Sequence, residues 1–191
     1  MARMLVVVGT SLGGFQALKV LLSGLPEAFP APVAIVQHQA ADTEGQLSEL
    51  LQRYTVVSVQ DAEDKDPLLS GRVYLAPAGY HLMIEGDHCA LSTEAPVWYA
   101  RPSIDVLFES AAEAYGSGVI GVALTCASRD GARGLARIKA CGGIAIVEDP
   151  VEAESRTLPD AAIASTAVDA ILPVAQIPAV LIGYCQNAAR I

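Results

Sequence analysis

Short runs of β-branched apolar residues recur along this chain, and each is followed by a stretch whose apolar positions repeat every three to four residues. Leu5-Val6-Val7-Val8, Val33-Ala34-Ile35-Val36, Val119 to Thr125 and Ile144 to Val147 carry almost no polar alternation. A strand wetted on one face alternates polar and apolar residues, so a continuous apolar run belongs to a strand covered on both faces. The intervening stretches supply the cover. Leu12 to Ser23 puts Phe15, Leu18 and Leu22 on one helical face, continued by Leu25. Ser103 caps a helix with apolar positions at Ile104, Leu107, Phe108, Ala111, Ala112 and Tyr115. Another helix runs from about Gly131 to Cys141 and stops at Gly142-Gly143. This alternation predicts a doubly wound α/β fold, with a mostly parallel sheet and helices on both faces.

The remaining elements fit the same plan less sharply. Val56 to Val59 reads as a third strand, after a helix bearing Leu47, Leu50, Leu51 and Tyr54 that Asp42 or Thr43 could cap. Pro159 and Pro178 suit the first turns of two late helices. Segments 73–76, 81–85 and 89–92 are short and punctuated by Pro77, Gly79, Gly86 and Asp87. They predict antiparallel strands and an edge hairpin or flap rather than a second domain. At 191 residues the chain suits a single domain, 1–191.

Composition narrows the function classes. With 52% hydrophobic and 17% charged residues, disorder is excluded. No apolar run approaches the roughly 18 residues of a membrane span, and the leading run is too short for a signal-peptide core. A cytoplasmic protein without membrane insertion is expected. A net charge of −9 argues against nucleic acid as a partner. Cys89, Cys126, Cys141 and Cys185 are scattered, so buried reduced thiols are expected rather than a zinc site or a disulfide framework.

Three strand ends carry residues with chemical potential. Gly9-Thr10-Ser11-Leu12-Gly13-Gly14 lies where the first strand turns into the first helix and matches G-x-S-x-G. Such a turn thrusts a serine hydroxyl out at the carboxyl edge of the sheet, beside backbone N–H groups that can hold an oxyanion. A phosphate-binding turn is the competing reading, but the spacing misses G-x-G-x-x-G, no acid ends the second strand, and no Walker lysine follows. His38 ends the second strand and is placed to act as general base. Asp130 follows the Val119–Thr125 strand, where it could orient an imidazole or simply cap the next helix. His81 falls in the predicted hairpin and His88 in a turn, both more readily explained by packing or solvent than by chemistry. Arg101 opens a helix start, where a carboxylate-binding role and a loop contact are both open.

These blocks, together with Gln37-His38, Tyr74-Leu75-Ala76-Pro77, Arg101-Pro102-Ser103-Ile104-Asp105-Val106-Leu107-Phe108 and Leu124-Thr125 through Asp130-Gly131, resemble the catalytic domain of the CheB protein-glutamate methylesterase family over essentially the whole chain. The chain order Ser, His, Asp differs from the Ser, Asp, His of ordinary α/β-hydrolases. The resemblance places the family's triad on Ser11, His38 and Asp130, and implies a serine hydrolase of chemotaxis signal transduction. It would remove methyl esters from glutamates on the cytoplasmic helices of methyl-accepting chemoreceptors, with glutamine deamidation as a companion activity. No cofactor or metal is implied. Leu12 and Ala127 would supply oxyanion N–H groups. Arg101, Arg129 and Arg133 each fall near a predicted active-edge loop and are the candidate contacts to acidic receptor segments. The family usually carries an N-terminal receiver domain. Since this chain opens on the first catalytic strand, regulation is expected to be absent or to come from a separate protein.

One departure stands out. The family's Gly-Met-Gly-type turn before the aspartate is Cys126-Ala127-Ser128 here, followed by Arg129. Cys and Ser rarely adopt the positive φ that glycine allows. A catalytically weak or inactive receptor-binding domain of the same fold is therefore the alternative reading.

Overall fold

The computed structural model describes residues 4–39 and 46–188. In chain order the elements are β1 (Leu5–Thr10), α1 (Gly14–Ser23), β2 (Val33–Gln37), α2 (Gln46–Gln52), β3 (Ser58–Asp61), β4 (Arg72–Leu75), β5 (His81–Glu85), β6 (His88–Ser92), α3 (Ile104–Tyr115), β7 (Val119–Ala123), α4 (Ala132–Ala140), β8 (Ile144–Glu148), α5 (Thr157–Ser165), β9 (Ala170–Leu172) and α6 (Ile177–Ala188). The proposed cap at Asp42 or Thr43 lies outside the described residues.

Seven strands form one parallel sheet in the order β3-β4-β2-β1-β7-β8-β9. The central strands are apolar throughout because both faces are covered. Along β1, Leu5 and Val7 enter one core with Ile104, Leu107 and Phe108 of α3 and Leu135 and Ile138 of α4. Val6 and Val8 point the opposite way, into a core with Leu18, Leu21 and Leu22 of α1 and Ile177 and Leu181 of α6. That is the two-residue period of a strand written onto two layers. Truncating any of these fully buried leucines to alanine should cost about 2–5 kcal/mol.

β5 and β6 pair antiparallel as a separate two-stranded sheet, so the predicted antiparallel hairpin is present. The first of the three middle segments behaves otherwise. Residues 72–75 run parallel between β2 and β3, inside the main sheet. The connection from β3 to β4 passes through residues 62–71 without a helix. The strand–helix alternation that marks a parallel strand is therefore missing from the sequence there, and Pro77 and Gly79 just beyond it mimic hairpin punctuation. The third strand also starts two residues later than its apolar pattern predicts, with Val57 buried ahead of it and Val56 turned outward. Both late prolines sit in first helical turns, Pro159 in α5 and Pro178 in α6. Among the described residues no helix is long and apolar enough to cross a membrane.

Candidate active site

The topology gathers the three candidate residues at one edge. β1 lies between β2 and β7, so the loops leaving three neighbouring strands carry Ser11, His38 and Asp130. Thr10 pairs with Gln37 at the end of the β1–β2 ladder. Ser11 and His38 are thus the next pair in register, and His38 N–H donates to Thr10 O at 3.0 Å.

The serine turn is held by a dense local network. Ser11 N–H donates to Thr125 O at 3.0 Å, and Gly14 N–H donates to Ser11 O at 2.8 Å. Thr10 Oγ1 donates to Thr125 O at 2.7 Å, while Thr125 Oγ1 donates to Leu12 O at 2.8 Å. Gln37 Nε2 bridges Ser11 O and His38 O at 2.9 and 3.0 Å, tying the serine turn to the histidine loop. Two glycines have identifiable reasons. Gly13 adopts φ 78°, and a Cβ there would sit 2.6 Å from the Glu154 side chain. A Cβ on Gly9 would collide with Ile104, so glycine permits the close approach of β1 to α3.

Asp130 is wholly buried and accepts a hydrogen bond from His38 Nε2 at 2.8 Å. An ionised carboxylate only accepts, so Nε2 carries the proton and Nδ1 is the nitrogen left for base chemistry. The carboxylate is anchored by the start of α3. Ser103 Oγ donates to Oδ1 at 2.8 Å, Asp105 N–H to Oδ1 at 2.9 Å, and Ile104 N–H to Oδ2 at 2.7 Å. Asp130 therefore does not cap its own helix: Gly131 is the N-cap of α4. It is an anion at the positive end of α3, a placement that helix termini favour. Ser103 also caps α3 through Val106 N–H, as its position in the sequence predicts.

His81 completes this support. It is buried, its Nδ1 accepts from Ser103 N–H at 3.2 Å, and its Nε2 faces Ala95 O at 3.1 Å. The two contacts fix the Nε2–H tautomer. Packing is the role its sequence position suggests, and what it packs is the cap that holds Asp130.

The His38 imidazole is pushed up from 6.5 to about 9. Burial acts to lower it, but interactions with Asp130 and Cys126, including the negative charge of their ionised forms, outweigh burial. Reciprocally, burial would raise the Cys126 thiol, yet contacts with His38 and Ser128 bring it below its ordinary value. Cys126 Sγ lies 3.5 Å from Ser128 Oγ and accepts from Ser128 N–H at 3.4 Å. Among the described residues no hydrogen bond joins Ser11 Oγ to His38, so the serine–histidine contact expected of a triad is not made here. The altered turn itself is unstrained, because neither Cys126 nor Ser128 takes a positive φ.

The flanking residues divide. The Leu12 and Ala127 N–H groups have no acceptor among the described residues, as oxyanion donors require, and both residues are exposed. Arg101 lines the cleft, where its Nη1 donates to Thr93 O at 2.8 Å and Glu94 O at 3.1 Å and so ties down a loop, while its buried Nε has no partner among the described residues. Arg133 is committed to Glu109 at 2.6 Å. Arg129 is exposed and makes neither an ion pair nor a hydrogen bond among the described residues. Gln37, Thr125 and His81 carried no sequence signal for these roles, since each acts through backbone contacts that only the fold creates. The cleft beside His38 encloses about 490 Å³ and is lined by Gln39, Gly79, Trp98, Tyr99, Arg101 and Ser128.

Residues 6–181 match the family model for the CheB methylesterase. The chain belongs to that family. The crystal structure of the Thermotoga maritima CheB methylesterase catalytic domain superposes with a TM-score of 0.93 at 32% identity, covering 96% of this chain and all of that one. A Leptospira interrogans relative, named for methylesterase and glutaminase activities, is 44% identical over 183 residues, 95% of each chain. The protein-glutamate methylesterase/protein-glutamine glutaminase 2 of Anaeromyxobacter dehalogenans is 44% identical over 176 residues, 92% of this chain and 52% of that protein. CheB-type relatives thus occur both at this length and at about twice it.

Proposed function

We propose that this chain is a single catalytic domain that hydrolyses glutamate γ-methyl esters on chemoreceptor helices, and deamidates glutamines by the same chemistry. The observation that carries the reading is the 2.8 Å His38–Asp130 contact, with the carboxylate fully buried and held by three donors, one register step from Ser11. Ser11 Oγ attacks the ester carbonyl while His38 Nδ1 takes its proton. The Leu12 and Ala127 N–H groups receive the oxyanion, and Asp130 stabilises the imidazolium through Nε2. His38 then returns the proton to methoxide, methanol leaves, and a water activated by the same nitrogen cleaves the acyl-serine to glutamate. With a glutamine, ammonia leaves in place of methanol.

A second reading has a specific observation behind it. His38 is bonded to Asp130 and, among the described residues, not to Ser11, which is what a receptor-binding domain with weak or no turnover would show. Methanol release from a methylated receptor fragment separates the two. The esterase reading expects release by the unmodified protein and none by Ser11→Ala at unchanged Tm; no release by either would favour the binding domain.

A further inference from the structure

The lip of the cleft has a construction that stability does not explain. Val97 and Ala100 exchange both backbone hydrogen bonds, Val97 N–H to Ala100 O at 3.1 Å and Ala100 N–H to Val97 O at 2.9 Å. They close a tight two-residue turn whose central residues are Trp98 at φ 51° and Tyr99 at φ 62°. Both lie in the left-handed region, where such turns normally place Asn-Gly because bulky side chains are disfavoured. Here the two positions hold large aromatic side chains. Tyr99 is fully exposed and has no partner among the described residues; Trp98 is 54% exposed.

The turn is firmly mounted. The Trp98 indole N–H donates to Asp105 Oδ2 at 3.0 Å. Asp105 is completely buried and also accepts from Gly131 and Gly134 N–H, so the turn is fastened to the segment just after Asp130. Behind it, Arg101 holds Thr93 O and Glu94 O, and His81 holds Ala95 O. Exposed aromatics on a fixed, strained backbone cluster where proteins bind, because they offer contact area at little entropic cost. Trp98 and Tyr99 line the same cavity as His38. A small ester inside that cavity does not need a side chain standing wholly in solvent beyond it, whereas a macromolecular substrate would meet it.

Resting on the esterase reading, we propose that the Trp98–Tyr99 turn is the recognition lip for the helical receptor segment bearing the esterified glutamate, and that it sets the preference for protein over small esters. The test uses Tyr99→Gly, with Tyr99→Phe as the conservative variant. Three measurements are made: Tm, the Kd for a methylated receptor cytoplasmic fragment, and kcat/KM for that fragment relative to p-nitrophenyl acetate. Relief of the left-handed strain should leave Tm of Tyr99→Gly unchanged or raise it by about 2–4 °C. Its Kd should rise roughly tenfold, on the scale of an aromatic contact residue, and the protein-to-small-ester preference should fall to match. Tyr99→Phe should keep both. Equal binding by Tyr99→Gly, or no binding by the unmodified protein, overturns the proposal. A fall in Tm accompanying weaker binding also overturns it, since Tyr99 would then serve the fold. Absence of turnover with Tyr99-dependent binding would overturn the esterase reading and the ester preference with it, while upholding the turn as a receptor-recognition lip.

Discussion

Replacing Cys126 with alanine removes one sulfur from the His38 environment and should make the protein a better esterase near neutral pH. General-base catalysis needs the neutral imidazole. With His38 at about 9, only about 1% of it is neutral at pH 7, against about three-quarters for an unperturbed histidine at 6.5. The ceiling on the gain is therefore about 75-fold. Cys126 acts beside Asp130 to raise the imidazole, while burial pulls it down. With Asp130 still in place, the variant should recover part of that factor. Alanine fits the site without strain, since Cys126 has no positive φ, and loss of one buried atom should cost only about 1 kcal/mol. The assay is kcat/KM against pH with p-nitrophenyl acetate. The unmodified protein should rise through a limb near pH 9, and Cys126→Ala should move that limb to lower pH with higher activity at pH 7. Stability must obey the same linkage. A raised histidine contributes stability that is fully present below pH 6.5 and is lost as pH rises through about 9, on the order of 3 kcal/mol at most. The variant should lose less over that window. A limb that stays at pH 9, or a fall in activity at every pH, would show that Cys126 does not hold His38 protonated.

Asp130→Asn should lower kcat by about 10⁴-fold through the wrong imidazole tautomer. Because the new amide group must face at least one of the four donors now held by the carboxylate, stability should also fall by about 1–3 kcal/mol, measured by urea denaturation. His81→Ala should leave the Ser103 N–H buried without an acceptor, lowering the urea midpoint by the equivalent of about 1–3 kcal/mol with an unchanged m-value.

Much of this is legible in the sequence because the informative residues sit at strand ends. An unbroken apolar run announces a doubly covered strand, and the residues after it must emerge at the carboxyl edge; that logic alone places Ser11, His38 and Asp130. The Ser103 cap is equally legible, since capping is a local signal. Contacts made across long sequence separations are hidden. That Asp130 accepts from the start of α3, or that His81 holds Ser103, depends on α3 packing closely against β1, where Gly9 meets Ile104. The parallel position of β4 is hidden because its connection has no helix. The Trp98–Tyr99 turn is hidden because its residues contradict the chemistry of the turn they form, and such a local conflict is where function is most expected.

The proposed mechanism requires Ser11 to be a nucleophile activated by His38. Reaction with a fluorophosphonate, with mass-spectrometric mapping of the adduct across a pH series, tests it most directly. A single adduct on Ser11 is expected, absent from Ser11→Ala, slowed in Asp130→Asn, and forming faster as pH rises toward 9. No labelling of the folded protein, or labelling that maps to Ser128 or Cys126 instead, would contradict it.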